Sequence, residues 1–184
     1  MKKIRRRYLY FFCLILLTSC IEEQDFDQAK DLEIITDISG PILYVESPEN
    51  LINDATDSNF ISQNVNFDGF NAAIFSDRVI SGSLNFQIEN TTSKQIDFTL
   101  DFLDDTDTVI DSEFFSIPAA PPTVVINREI FYGPPSGRSI DIIKNTSSFQ
   151  LSAVNNSDNT SVSNNNEPKV IFRSSGSFKL RLVE

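Results

Sequence analysis

Between Leu84 and Phe102, apolar and polar residues trade places with a period of two. Leu84, Phe86 and Ile88 alternate with Asn85, Gln87 and Glu89, and Ile96, Phe98, Leu100 and Phe102 alternate with Asp97, Thr99 and Asp101. Side chains along a strand point to opposite faces in turn, so the pattern predicts antiparallel strands with one face on a core and the other in water. A helical period would spread the acids across the apolar face. NTTSK (90–94) reads as the turn between the two runs, and DDTD (104–107) as the next.

Further strands are expected at TVIDSEFFSI, TVVINREIFY (123–132), SFQLSAV and KVIFRSSGSFKLRLVE, with AAPP (119–122) and GPPSG (133–137) as breaks. In the last run Phe178, Leu180 and Leu182 alternate with Lys179 and Arg181. Upstream the signal is weaker. Gly40-Pro41 punctuates, a short strand is expected at Ile42–Val45, and FISQNVNF reads as strand or loop. Residues 67–80 read as a short helix capped by Asp68, with Phe70, Ile74 and Phe67 on one face, although Gly69 weakens it. RSIDIIKN reads as one helical turn capped by Ser139. Six or seven strands with turns every 8–12 residues predict a mainly β, antiparallel two-sheet sandwich with one or two short helices.

Composition adds the compartment. The chain has 184 residues and a formal charge of −11, with no His and no Trp. Lys2, Lys3, Arg5, Arg6 and Arg7 stand in a stretch without acids; beyond them 10 basic residues face 26 acidic ones. So acidic a body repels nucleic acid and anionic headgroups. The two cysteines are Cys13 and Cys20. A basic start, MKKIRRR, leads into YLYFFCLILL, an apolar run in the secretory range and too short to span a membrane.

Leu17-Thr18-Ser19-Cys20 resembles a bacterial lipobox. The resemblance implies a signal peptide over residues 1–19, cleavage before Cys20, and covalent lipid on its thiol. Two or three acyl chains hold a protein to a bilayer where one alone binds reversibly. The alternative is an ordinary cleaved signal peptide with a chance Cys near the cut; no later cysteine could pair with Cys20. RRRYLY echoes a twin-arginine pattern. That route suits cargo folded around a cofactor, and a body without His or Cys fits ordinary Sec export.

IEEQDFDQ, after Cys20, resembles the acidic export signal of Bacteroidota surface lipoproteins, and Ile21 is not the Asp that retains some lipoproteins at the inner membrane. The resemblance implies an outer-membrane lipoprotein, facing outward or into the periplasm. Residues 20–39 are then a lipidated acidic tether, and 40–184 the β-sandwich domain. LNFQIENTTSKQIDFTLDFLDDTDTVIDS is similar to the second and third strands of immunoglobulin-like domains in bacterial envelope proteins. That implies an immunoglobulin-like sandwich and, because such sandwiches host many functions, no activity. The antibody disulfide and core Trp are absent, so Phe is expected to fill the core.

Candidate chemistry is sparse. Without His or a body Cys the common nucleophile–base pairs cannot be built, so no enzyme is expected. Carboxylate pairs remain, but Asp97 and Asp101 fall at outward strand positions. Asp104, Asp105 and Asp107 are spaced as calcium ligands can be, without the Gly and closing Glu of an EF-hand; an Asp-rich hairpin turn is the plainer reading of the same residues, and no metal is expected. Zinc and iron sites lack their usual ligands, and no cofactor is expected beyond the lipid on Cys20. GPPSGRS is one residue short of a phosphate loop and carries Arg138 in place of Lys. Asp107-Thr108-Val109 is similar to the Bacteroidota O-glycosylation pattern, which implies Thr108 as acceptor.

NNSDNTSVSNNNE (155–167) is low complexity and reads as a mobile hairpin tip or a partner-binding loop. Lys169, Arg173, Lys179 and Arg181 crowd the last strand, for cross-strand pairing with acids or for docking an acidic partner. The expected function is a non-catalytic binding or assembly module for another envelope protein. The alternatives are a surface glycan-binding lipoprotein of a nutrient-uptake complex and a calcium-dependent adhesin. Lack of Trp, with only Tyr44 and Tyr132 beyond the leader, weighs against glycan. An exposed aromatic row on one sheet face would favour it.

Overall fold

The computed structural model describes residues 33–67, 69–135 and 137–183. The leader, Cys20, the acidic run behind it and Asp68, the expected helix cap, lie outside the described residues. Among the described residues eight strands form: β1 (Ile34–Pro48), β2 (Asn59–Asn66), β3 (Val79–Asn90), β4 (Ile96–Leu103), β5 (Val109–Ile117), β6 (Val124–Tyr132), β7 (Ser148–Asn155) and β8 (Lys169–Val183). Three short helices join them: α1 (Glu49–Asp54), α2 (Ala73–Ser76) and α3 (Ile140–Asn145).

The strands make two four-stranded sheets, β1-β8-β3-β6 and β2-β7-β4-β5, with every pairing antiparallel. The sandwich is the one the alternation predicts. Its connectivity differs from the immunoglobulin order, in which strands A–B, D–E and F–G pair as sequence neighbours. Here only β4 and β5 do. The order is that of an eight-stranded jelly roll, a double sheet built of two Greek keys.

NTTSK carries the chain from one sheet to the other. Asn90 is fully buried there. Its oxygen accepts from the Thr92 N–H at 2.9 Å and the Thr92 hydroxyl at 2.7 Å, while its amide donates to the Lys94 and Pro118 carbonyls. A side chain that satisfies four groups of the backbone and turn makes a tight corner.

Phenylalanine fills the space between the sheets. Phe172 lies 6.1, 5.4 and 5.8 Å, centroid to centroid, from Phe86, Phe98 and Phe115. A second group joins Phe67, Phe70, Phe75, Phe149 and Phe178 at the end where β1 begins. Each such ring contributes roughly 1.5–3 kcal/mol on burial. Gly82 and Gly176 leave room for the Phe178 ring, which a Cβ at either position would meet at 2.2 and 2.4 Å.

The weak upstream signals resolve differently from expectation. Ile34–Ser39, expected in the tether, belong to β1, which pairs with β8 along its length and passes through Gly40-Pro41. β1 is an edge strand, where a proline removes no ladder bond, and the register shifts between Pro41 and Leu43. Ile34, Ile35 and Ile38 stay exposed, so no alternation marks this half of the strand. The expected helix over 67–80 shrinks to the single turn α2: Phe70 and Phe75 are buried, whereas Ile74 is 71% exposed. Ser139 caps α3 as expected, accepting from the Asp141 N–H at 3.2 Å.

Candidate functional site

The outer face of the β1-β8-β3-β6 sheet gathers the most organised exposed polar groups. Register places Tyr44, Arg173, Gln87 and Asn127 side by side across all four strands. Arg173 donates to Gln87 Oε1 at 2.8 Å and pairs with Glu89 at 3.3 Å; Gln87 Nε2 donates to Asn127 Oδ1 at 3.1 Å. The Arg173 guanidinium lies 5.9 Å from the centroid of the Tyr44 ring. Tyr44 in turn donates its hydroxyl to Glu46 at 2.7 Å. That bond and a second one from Lys169 hold the Glu46 carboxyl below the usual carboxylate range.

The next rows are built of smaller groups. Ser175 and Asn85 are followed by Ser177 and Ser83, with Glu129 and Phe131 at their β6 end. Small side chains leave two depressions. One, about 680 Å³, is lined by Asn85, Gln87, Asn127, Glu129, Arg173 and Ser175. The other, about 210 Å³, lies over Ser81, Ser83 and Ser177, walled by Phe131, Lys179 and the Pro134-Pro135 turn. Gly133 makes that turn with φ +80, and a Cβ there would fall 2.5 Å from the Ile80 carbonyl oxygen. Tyr44 and Phe131, at opposite corners of the face, are 58% and 57% exposed. Lys179 pairs with Asp37 at 3.0 Å, Lys169 with Glu46 at 3.1 Å and Arg181 with Glu33 at 2.5 Å, so the basic run of β8 is spent on cross-strand acids.

A separate concavity of about 250 Å³, between β1, β8 and the rings of Phe67, Phe70 and Phe75, is lined by apolar side chains such as Ile42 and Phe178. It offers little to orient a ligand.

The Asp-rich turn does not gather its acids as a ligand set. Asp104 Oδ1 accepts from the Thr106 hydroxyl at 2.7 Å and from the Thr106 and Thr108 N–H groups at 2.8 and 2.9 Å. Those bonds lower its pKa and close the turn. Asp107 takes the left-handed position at φ 60. Among the described residues no three acids, His or Cys converge as a metal site, and the one Asp104 oxygen is taken up by the turn's own donors. Thr108 is exposed, its hydroxyl 3.0 Å from that of Thr106. Asp97 and Asp101 are half-buried on the outer face of the second sheet, Asp101 bonded to the Ser112 hydroxyl.

The low-complexity loop is tied to the body. Lys94, fully buried, donates to the carbonyls of Asp158 and Ser161 and to the Ser161 hydroxyl. Glu49, 2% exposed on α1, accepts from Ser93 and from the Ser163 N–H. These two buried charges hold the loop against α1 and the β3–β4 corner.

Composition also did not reveal an ionic cluster at the β5–β6 edge. Arg138 bonds Asp111 at 2.7 Å and contacts Glu113, which is 4% exposed and also pairs with Arg128 at 3.3 Å. Arg128 lies over the Phe115 ring, 4.3 Å from its centroid. Burial pushes the nearby Tyr132 phenol well above its ordinary pKa. The acids here are engaged by arginines that join one sheet to the other. The i, i+2 spacing of Asp111 and Glu113 puts both on one strand face, but only contact with residues 25–27 positions later reveals their partner Arg138.

No family model matches the chain, and no curated protein does. Fifty-two solved chains match it. One is the structure of the infectious bursal disease virus Gx strain, 14% identical, covering 84% of this chain and 33% of that one, with a TM-score of 0.36. The chain thus spans about a third of that structure's length. Desmodium yellow mottle tymovirus is 8% identical over 84% of this chain and 91% of its own, with a TM-score of 0.39. Turnip yellow mosaic virus is 9% identical over 83% and 96%, with a TM-score of 0.34. Overlaps this loose carry nothing about what the chain binds.

Proposed function

We propose that the protein is a lipid-anchored outer-membrane protein acting as a non-catalytic binding module, which meets its ligand with the outer face of the β1-β8-β3-β6 sheet. The observation that carries this reading is the row Tyr44–Arg173–Gln87–Asn127. Its donors and acceptors are fixed by cross-strand bonds before any ligand arrives, which reduces the ordering cost of binding. A second reading, assembly with another envelope protein, draws on the apolar side chains Val109, Phe114 and Val125, each about half exposed on the edge strands β5 and β6.

Two measurements test the proposal. A Cys20→Ser chain should no longer incorporate labelled palmitate and should leave the membrane fraction; retention of both removes the anchor. Envelope material captured by the wild-type protein should be lost with Arg173→Ala plus Asn127→Ala and kept with Ser62→Ala on the other sheet. The reverse pattern moves the binding surface elsewhere. Protease shaving of whole cells assigns the side of the membrane.

A further inference from the structure

We infer that the ligand of this sheet face is an uncharged oligosaccharide lying across the strands from Tyr44 towards Phe131. The inference rests on the reading of this face as the binding surface. A sugar ring offers adjacent hydroxyls, each both donor and acceptor, and a C–H face that is apolar. The site offers the matching set. Asn127 and Asn85 present planar amides, Glu129 a carboxylate, and Arg173 a guanidinium already oriented by Gln87 and Glu89.

The two aromatic rings exposed on this face, Tyr44 and Phe131, stand at opposite corners of the polar field. Such placement suits stacking on single sugar rings better than the dry centre of a protein interface. The serine floor keeps the surface low, and the two depressions follow one another along β3 and β8 towards Phe131. Tyr44 shares its row with Asn127, four residues short of Phe131 on β6; three strand spacings of about 4.8 Å and four rises of about 3.4 Å make the diagonal about 20 Å, room for a few sugar units.

Charge selects the class within glycans. The face's cations are already matched, Arg173 by Glu89 and Lys179 by Asp37, while Glu129 has no ion pair among the described residues. No unmatched cation waits for a sulfate or uronate, and the acidic body repels polyanions.

Affinity electrophoresis of the full chain in detergent, through gels cast with starch, xylan, mannan or β-glucan, tests this against gels with polygalacturonate or heparin. Retardation is expected in at least one neutral polysaccharide and in neither polyanion. Tyr44→Ala and Asn127→Ala should each weaken it at least tenfold at unchanged melting temperature, and Ser62→Ala should leave it intact. Absence of retardation in every neutral gel, retardation untouched by Tyr44→Ala and Asn127→Ala, or preference for a polyanion would each overturn the inference. If the gels fail while Arg173→Ala plus Asn127→Ala still abolishes capture of an envelope protein, the glycan falls and the binding face stands. If those substitutions change neither, both fall.

Discussion

Lys94 donates its ammonium to the backbone oxygens of Asp158 and Ser161, at 2.7 and 2.8 Å, from a position with no solvent exposure. A lysine so placed is stable only because its donors are satisfied. Lys94→Met keeps the stem and deletes the donors, leaving the Asp158 and Ser161 carbonyls and the Ser161 hydroxyl with only the longer bonds from Asn155, Asn53 and Ser93. We expect a loss of about 3 kcal/mol in urea unfolding, together with new protease cleavage within 156–168. A loss under about 1 kcal/mol, with the loop still resistant, would mean that the ammonium is not what holds it.

Acid should act through the same loop. Asp158 is held well below the usual carboxylate range by the Ser161 N–H, and then by the Thr160 N–H and hydroxyl. A carboxylate whose folded pKa is depressed contributes stability above its unfolded value, about 3.9, and loses that contribution as pH falls towards the folded value. Melting temperature should therefore drop below about pH 4. Asp158→Asn, with no proton to take up, should lower stability at neutral pH and flatten the drop. Melting curves in steps between neutral pH and strong acid check it; a wild-type slope in the variant would refute the assignment.

Glycine at 82 is required by Phe178. An alanine methyl there would lie 2.2 Å from the ring and 2.6 Å from the Ser177 carbonyl oxygen. Because one contact is backbone, a rotamer change alone cannot relieve it. Gly82→Ala should cost about 3 kcal/mol, and Gly82→Ala with Phe178→Leu should recover only part of it. Gly40→Ala, with nothing within 4 Å of the new methyl, is the control expected to change little.

Half of the architecture was legible in local pattern. From β3 to β5, and again in β7 and β8, each strand has one face on the core, and alternation records that directly. The first half of β1, and α1, were not legible. β1 is an edge strand with Ile34, Ile35 and Ile38 exposed, and α1 owes its buried Glu49 to Ser93 and Ser163, far away in the chain. Connectivity was illegible for the same reason: β1 pairs with β8, β2 with β7 and β3 with β6, partners far apart in the chain that no local pattern records. The candidate face was legible one residue at a time, as polar positions on strands. Its rows appear only when register sets Arg173 beside Tyr44 and Gln87.

The described residues contain two tyrosines, and the chain has no tryptophan. Tyr44 stands open on the sheet face, and Tyr132 is 1% exposed between the sheets. Ultraviolet emission from the folded domain therefore comes from two phenols in opposite surroundings. A ligand stacking on the face perturbs the first and leaves the second untouched, whereas unfolding changes both. The molecule thus carries its own optical probe, able to separate occupancy from collapse without a dye.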